Sequence, residues 1–309
     1  MEKEFFIPDW SGKTILVAED VDSNYMVLSA LLRKTKVSVL RATNGQEALE
    51  MIQQHPQIIA ILMDISMPGM DGIEATRLIK ENFPDKGERV TGLDISGAFD
   101  ITIRQGEDTG VTLSIPSHYE DNLVFENWGG TVKVGFKGRI KKHSKNEKFT
   151  AEIVCSSLEE VLLSGACKLK GTGDFTAQTV KFDLSGAATA VWDGNFKVVK
   201  IGKIDLSGAS QLQLNVEVPE VEVEISGAAK LALTGEADSG EIELSGASKA
   251  NLENFVLKNL ALATSGASNA SVNVTETLGV EASGAAHVSY SGNPKVTSHV
   301  SGAASLKQR

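Results

Sequence analysis

Three carboxylates, Glu19, Asp20 and Asp64, are the residues of this chain whose types and spacing best suit chemistry. Glu19 and Asp20 follow the apolar run TILVA (14 to 18), and Asp64 closes the apolar run IIAILMD. If those runs are adjacent parallel strands, the acids meet at the strand ends, where open α/β sheets gather their ligands. Converging acidic oxygens make a hard site suited to Mg²⁺, which offsets their repulsion and can hold a phosphoryl donor in line with one of them. The five histidines, His55, His118, His143, His287 and His299, are scattered and suggest no Ser-His-Asp arrangement. Cys155 and Cys167 lie in strand-like surroundings without metal spacing and read as buried free thiols.

The elements that must position the acids alternate strand and helix. TILVA is a continuous apolar run of the kind buried on both faces of a parallel sheet. A helix is predicted from about Ser23 to Lys34, with Met26, Leu28, Leu31 and Leu32 near helical spacing and Asp22 or Ser23 as its cap. KVSVLRA gives a second strand, NGQEALEMIQQ a second helix and IIAILMD a third strand. This alternation predicts an open parallel sheet.

VAED followed by MDISMPGMDG and the helix TRLIKE resembles the receiver domain of response regulators and hybrid kinases, over residues 12 to 82. The resemblance implies that Asp64 accepts a phosphoryl group, that Glu19 and Asp20 bind Mg²⁺ with it, and that the backbone carbonyl of Ser66 adds a ligand. A complete receiver continues with two strands, carrying a Ser or Thr and a Lys that contact the phosphoryl oxygens, and two helices. Here LIKENFPDKGE passes directly into RVTGLDISGAFD. Residues 1–87 are therefore expected to be a truncated receiver-like segment not competent for phosphotransfer. Mg²⁺ is an expected occupant of its acidic cluster and not a required cofactor. The third strand would be left with an unpaired apolar edge.

From residue 88 the period changes to two. Phe99, Ile101 and Ile103 alternate with polar neighbours, as do Val111, Leu113 and Ile115, then Val132, Val134 and Phe136, then Phe149, Ala151 and Ile153. Turn formers bound each run, so strands are predicted. Lys137, Arg139, Lys141, Lys142, Lys145 and Lys148 surround His143 in a basic stretch that reads either as a solvated loop or as a polyanion site.

Beyond it the tripeptide Ser-Gly-Ala begins at Ser164, Ser185, Ser207, Ser226, Ser245, Ser265, Ser283 and Ser301, at spacings of 21, 22, 19, 19, 20, 18 and 18 residues. A period in this range marks a solenoid. Strands lead in and out of each copy with alternate apolar positions: Phe182, Leu184, Val221, Val223, Ile225, Ile242, Leu244, Leu260 and Leu262 before it, and Leu169, Trp192, Leu212, Leu214, Leu231, Leu233, Leu252, Val272, Val288 and Tyr290 after it. The tripeptide reads as a corner, with Gly at positive φ, Ala where coils crowd and Ser bonding backbone groups. Gly171-Thr172-Gly173, Asp193-Gly194, Thr234-Gly235, Asp238-Ser239-Gly240 and Ser291-Gly292 mark a second corner in each coil. The fold expected for residues 88–309 is mainly β, a parallel β-helix, right-handed because parallel crossovers prefer that hand. Glu217, Glu220, Glu222, Glu224, Glu241 and Glu243 are expected on a solvated acidic face that discourages edge aggregation.

RVTGLDISGAFDITIRQGED, SSLEEVLLSGACKL and the repeats resemble a Bacteroidetes family described as the auto-transporter adhesin head domain. That resemblance implies a secreted or surface-anchored protein of adhesive role, with no assigned chemistry. A net charge of -10 argues against nucleic acid as a partner. No apolar run is long enough to span a membrane or to serve as an export signal, which points to the cytoplasm if the N-terminus is native, against the cell surface or periplasm that the family implies. The function expected is non-enzymatic binding or structure, with a surface glycan or protein as partner and homo-oligomers through the solenoid ends. The alternatives are a two-component protein phosphorylated at Asp64 and a polysaccharide-acting enzyme.

Overall fold

The computed structural model describes residues 10–55, 57–82, 90–107, 109–138 and 147–309. The chain divides into two compact units, Met1–Arg89 and Val90–Arg309. The junction at 84 to 89, and Arg139, Lys141, Lys142, His143 and Lys145 of the basic stretch, lie outside the described residues.

The first unit runs β1 (Thr14–Ala18), α1 (Asp22–Arg33), β2 (Ser38–Ala42), α2 (Gly45–Gln54), β3 (Ile58–Met63) and α3 (Gly72–Asn82). Its three strands form a parallel sheet in the order β2-β1-β3. Leu16 and Val17 of β1 are fully buried, on opposite faces of the pleat, as a central parallel strand requires. Asn44 caps α2 by accepting the Glu47 N–H at 2.9 Å, and Glu47 reaches back to the Thr43 N–H at 2.7 Å. The Thr43 hydroxyl, which donates to the same carboxylate at 2.7 Å, and then the Thr43 N–H hold the Glu47 carboxyl below its usual range.

Helix α1 departs from expectation twice. Its N-cap is Val21, with no side-chain cap, so neither Asp22 nor Ser23 serves. The carboxylate of Glu19 instead accepts the Val21 N–H at 3.2 Å. The predicted apolar stripe also divides: Leu28 and Leu32 pack on Ile15, Val17 and Val37, whereas Met26 and Leu31 are 70% and 60% exposed. Among the described residues β3 pairs only with β1, leaving its other edge without a strand.

In the second unit the first strands are β4 (Gly92–Gly97), β5 (Asp100–Gln105), β6 (Gly110–Ser114), β7 (Leu123–Trp128), β8 (Thr131–Phe136) and β9 (Thr150–Cys155). β8 and β9 pair in parallel with β4 and β5, while β7 and β6 add antiparallel to β8 and β9. Phe99, Tyr119, Phe136 and Phe149 pack edge to face and stacked at this end.

Coils then stack in register through β10 (Glu160–Gly165), β11 (Lys168–Thr172), β12 (Phe175–Leu184), β13 (Thr189–Leu206), β14 (Gln211–Ile225), β15 (Lys230–Leu244), β16 (Lys249–Thr264), β17 (Asn269–Ala282), β18 (His287–Ser291), β19 (Lys295–Val300) and β20 (Ser305–Gln308). Every pairing from β10 onward is parallel, each strand lying on the copy one repeat away. The apolar positions predicted to face inward are buried, apart from half-buried Tyr290. Cys155 and Cys167 are free and buried, and burial pushes the Cys155 thiol up to about 11.

The corner differs from the expected one in which residue is crowded. Gly227 has φ +70°, and a Cβ there would stand 2.6 Å from the Gly208 carbonyl oxygen of the coil below. Ala228 is exposed, and it is its N–H that approaches, donating to the same carbonyl at 2.7 Å. The buried small residue is the one after the tripeptide: Cys167, Ala188, Ser210, Ala229, Ser248, Ser268 and Ala286, each 0% exposed. Serine does bond backbone at the bend, as Ser301 Oγ donates to the Ala282 carbonyl at 3.4 Å. The second corner also differs, because β13 to β17 run through it as continuous strands with local shifts of register. Gly194 and Gly235 take positive φ there, but Gly240 stays extended.

Among the described residues the hydroxyls of Ser210, Ser248 and Ser268 have no hydrogen-bond partner. A buried hydroxyl left without one costs about 1–3 kcal/mol. Ser248→Ala is therefore expected to stabilise the stack by about 1 kcal/mol, a rise of about 2–4 °C in midpoint for a unit of this size. Calorimetry of the variant beside the parent chain checks this.

The last coil is held by polar contacts the sequence did not suggest. The Arg309 guanidinium bonds the Glu253 carboxylate and the Ser271 hydroxyl, and Gln308 Nε2 donates to the Gly292 carbonyl at 3.1 Å. Among the described residues no helix is long and apolar enough to cross a membrane.

Candidate functional site

Two places gather polar side chains. In the first unit, the Asp64 N–H donates to the Ala18 carbonyl at 2.9 Å and the Glu19 N–H to the Ala42 carbonyl at 3.0 Å. These bonds extend the ladder past the strand ends and hold the acidic tips together. Ligand oxygens of Glu19, Asp20 and Asp64 all lie within 4.8 Å of one another. Two carboxylates that close repel by about 3 kcal/mol at an effective dielectric near 20. Among the described residues no lysine or arginine forms an ion pair with any of the three, and Asp20 Oδ1 is buried without a hydrogen-bond partner. Glu19 Oε1 accepts from Val21 N–H and Asn24 Nδ2, which fixes the carboxylate and leaves Oε2 open. A set of hard oxygens with one orphaned buried atom fits Mg²⁺. Ser66 lies exposed in the loop two residues beyond Asp64.

Gly72 is a site residue that sequence reasoning passed over within the MDG motif. Its N–H donates to the Ile65 carbonyl at 3.0 Å, and a Cβ on it would fall 1.9 Å from the Asp64 carbonyl oxygen. Only glycine lets the start of α3 pack against the Asp64 backbone.

The second place is a groove of about 510 Å³ along the coil stack. One wall is a register column, Asp183, Asp205, Glu224, Glu243, Ala263, Glu281 and His299. The other is the tripeptide serines from Ser207 to Ser301. Six steps between coils span roughly 29 Å at about 4.8 Å each. Like charges on facing rungs cost about 0.2–1 kcal/mol per pair. A lysine relieves the first rung, as Lys181 stands 3.9 Å from Asp183, whereas Lys203 pairs outside the column, with Glu222 at 2.5 Å. That hydrogen bond to Glu222 raises the Lys203 ammonium above its ordinary range. Among the described residues Asp205, Glu224, Glu243 and Glu281 form no ion pair, so the groove carries uncompensated negative charge along its length.

Of the six glutamates expected on one face five share it, because Glu220, Glu222 and Glu224 alternate along β14 and Glu222 and Glu224 stand in register with Glu241 and Glu243, while Glu217 lies apart. Glu224 and Glu243 line the groove, Glu222 is paired with lysine, and Glu217 accepts from Asn195 Nδ2 at 3.1 Å beside a smaller cleft with Lys197 and Lys258. The register column stands two residues before each serine, and aligning the copies on serine would have found it. Of the histidines, His118 approaches Glu147 at 3.3 Å and His287 Nδ1 shares a hydrogen bond with Ser305 Oγ at 2.7 Å. Among the described residues no carboxylate stands behind the His287 ring.

The sequence pattern of the family described as "Putative auto-transporter adhesin, head GIN domain" matches residues 90–294. The chain belongs to this family. The head GIN domain is thus the coil stack itself, and the response regulator receiver pattern matches residues 15–90 beside it. A putative adhesin from Parabacteroides merdae superposes with a TM-score of 0.65 at 17% identity, over 72% of this chain and 92% of that one. A putative lipid binding protein from Parabacteroides distasonis gives 0.63 at 14%, over 72% and 93%. At such identities the likeness shows the head GIN fold alone. Histidine kinase 3 of Arabidopsis thaliana is 26% identical over 142 residues, 46% of this chain and 13% of that protein. The chain thus spans a small part of this curated relative.

Proposed function

We propose that the coil stack is a non-enzymatic binding head of the surface-adhesion type, wound as a right-handed parallel β-helix and displayed at the cell surface or in the periplasm. The observation that carries this reading is the groove, an extended concave strip whose two walls repeat with every coil. A ligand that repeats along its length can meet it rung by rung. Carboxylates accept hydrogen bonds and serines both donate and accept, a set suited to hydroxyl-rich chains. The uncompensated negative charge at Glu224 and Glu243 disfavours acidic polymers and favours neutral or amine-bearing glycans. It also disfavours an apolar ligand, although one structural neighbour is described as lipid binding.

A glycan array on the intact chain, set beside a polysaccharide turnover assay, tests the proposal. Saturable binding of neutral or amino glycans without turnover is expected. Turnover abolished by a single carboxylate change would make the stack an enzyme instead.

For the receiver-like unit we infer Mg²⁺ binding by Glu19, Asp20 and Asp64, with the Ser66 carbonyl as a further ligand by resemblance. The orphaned Asp20 oxygen supports this. Bound there, Mg²⁺ would neutralise negative charge beside Asp64, as it does on a transferring phosphoryl group in receivers. After α3 the described residues resume as coils, and the sequence offers no receiver-like strand bearing the phosphoryl-contacting Lys and hydroxyl. Such donors are each commonly worth a few kcal/mol of transition-state stabilisation, and we therefore assign the unit cation binding without efficient phosphotransfer.

A further inference from the structure

Glu19 and Asp20 leave the end of β1, yet the side chain that holds their turn comes from β2. Arg41 donates from Nε and Nη2 to the Glu19 carbonyl at 3.3 Å each, and from Nη2 to the Asp20 carbonyl at 3.4 Å. The same guanidinium pairs with Asp22 Oδ1 at 2.7 Å and lies over the Tyr25 ring, 4.5 Å from its centroid. The fork thus grips the two acidic residues through their main chain and leaves their carboxylates facing Asp64. It also engages Asp22, a neighbouring acid that would otherwise compete for a cation.

We propose that Arg41 is a positioning residue for the divalent-cation site, setting the turn from which Glu19 and Asp20 converge on Asp64. This rests on the Mg²⁺ reading of those three acids. Two effects of Arg41 oppose each other. Its positive charge repels a nearby metal ion, whereas its planar fork pre-organises the ligands. Partners outside the first coordination sphere are commonly worth about 10–100-fold in metal affinity, and a guanidinium bonded at several points is not replaced by an ammonium. The positioning effect is therefore the larger.

The test is Mn²⁺ binding to the intact chain, read by electron paramagnetic resonance. Sites lost in Asp64→Asn are taken as the cluster's own, which separates them from the acidic groove of the coil stack. Arg41→Ala and Arg41→Lys are both expected to weaken the Asp64-dependent sites about tenfold or more. Each is titrated below its own melting midpoint so that loss of fold is scored separately, and Arg41→Lys carries the test if Arg41→Ala does not fold. Unchanged affinity in Arg41→Lys, or tighter binding in Arg41→Ala, would show that charge alone matters and overturn the proposal while leaving the metal site standing. Wild-type chain with no Asp64-dependent Mn²⁺ binding would overturn the metal reading, and this proposal with it.

Discussion

Gly227→Ala is expected to lower the melting midpoint of the coil stack by about 4 °C or more, while Ala228→Ser, one residue on, leaves it nearly unchanged. A side chain held in the left-handed region costs about 1–2 kcal/mol, and Gly227 stands at φ +70°. The new methyl would also sit 2.6 Å from the Gly208 carbonyl oxygen, which must then shift although it accepts the Ala228 N–H that ties the coils together. The two effects together exceed about 2 kcal/mol, and a unit of this size loses about 2–4 °C per kcal/mol. Ala228 points to solvent, where substitutions stay within about 0.5 kcal/mol. Thermal unfolding followed by circular dichroism distinguishes them. Equal losses at the two positions would mean that the corner is crowded at alanine after all.

The second large effect is expected at Gly72. Gly72→Ala would drive a methyl to 1.9 Å from the Asp64 carbonyl oxygen, a distance that no side-chain rotation relieves because both atoms belong to the backbone or are fixed to it. The start of α3 must swing away and release the loop after β3. Asp64-dependent Mn²⁺ binding is expected to vanish, while the coil stack, a separate compact unit, keeps its melting transition. Retained binding with a retained stack would show that α3 does not set the Asp64 loop.

Much of the fold was legible because period carries it. Alternation placed Val221, Val223, Ile225, Leu212 and Leu214 inward, and each is buried. The residue after the tripeptide escaped notice because Cys167, Ala188, Ser210 and Ser248 share small size but no hydropathy. Ala228 was misplaced because an exposed alanine and a crowded one look alike in sequence; hydrogen-bond direction decides between them. Helix α1 shows the opposite case. Its stripe reads as a core face, yet among the described residues Met26 and Leu31 stay exposed.

The carboxylate cluster was readable from TILVA, IIAILMD and the acids that follow them, since parallel strands bring their ends together. Arg41 and Gly72 were not, because their roles depend on backbone carbonyls that spacing does not reveal. The groove lay between these cases. Coils of 18 to 22 residues keep the column two before each serine in register, and the chemistry of that column becomes visible once the copies are aligned on the corner instead of on the apolar run.

Recognition in the groove is tested by glycan binding to the intact chain carrying Glu224→Gln and Glu243→Gln. Loss of hydrogen bonds to charged groups, about 1.5–3 kcal/mol each, should weaken binding about tenfold or more, while Lys168→Gln with Lys170→Gln, on exposed strand positions outside the groove, should bind as the parent does. Binding untouched by the glutamate changes but lost with the lysine changes would place recognition elsewhere on the stack and contradict the account.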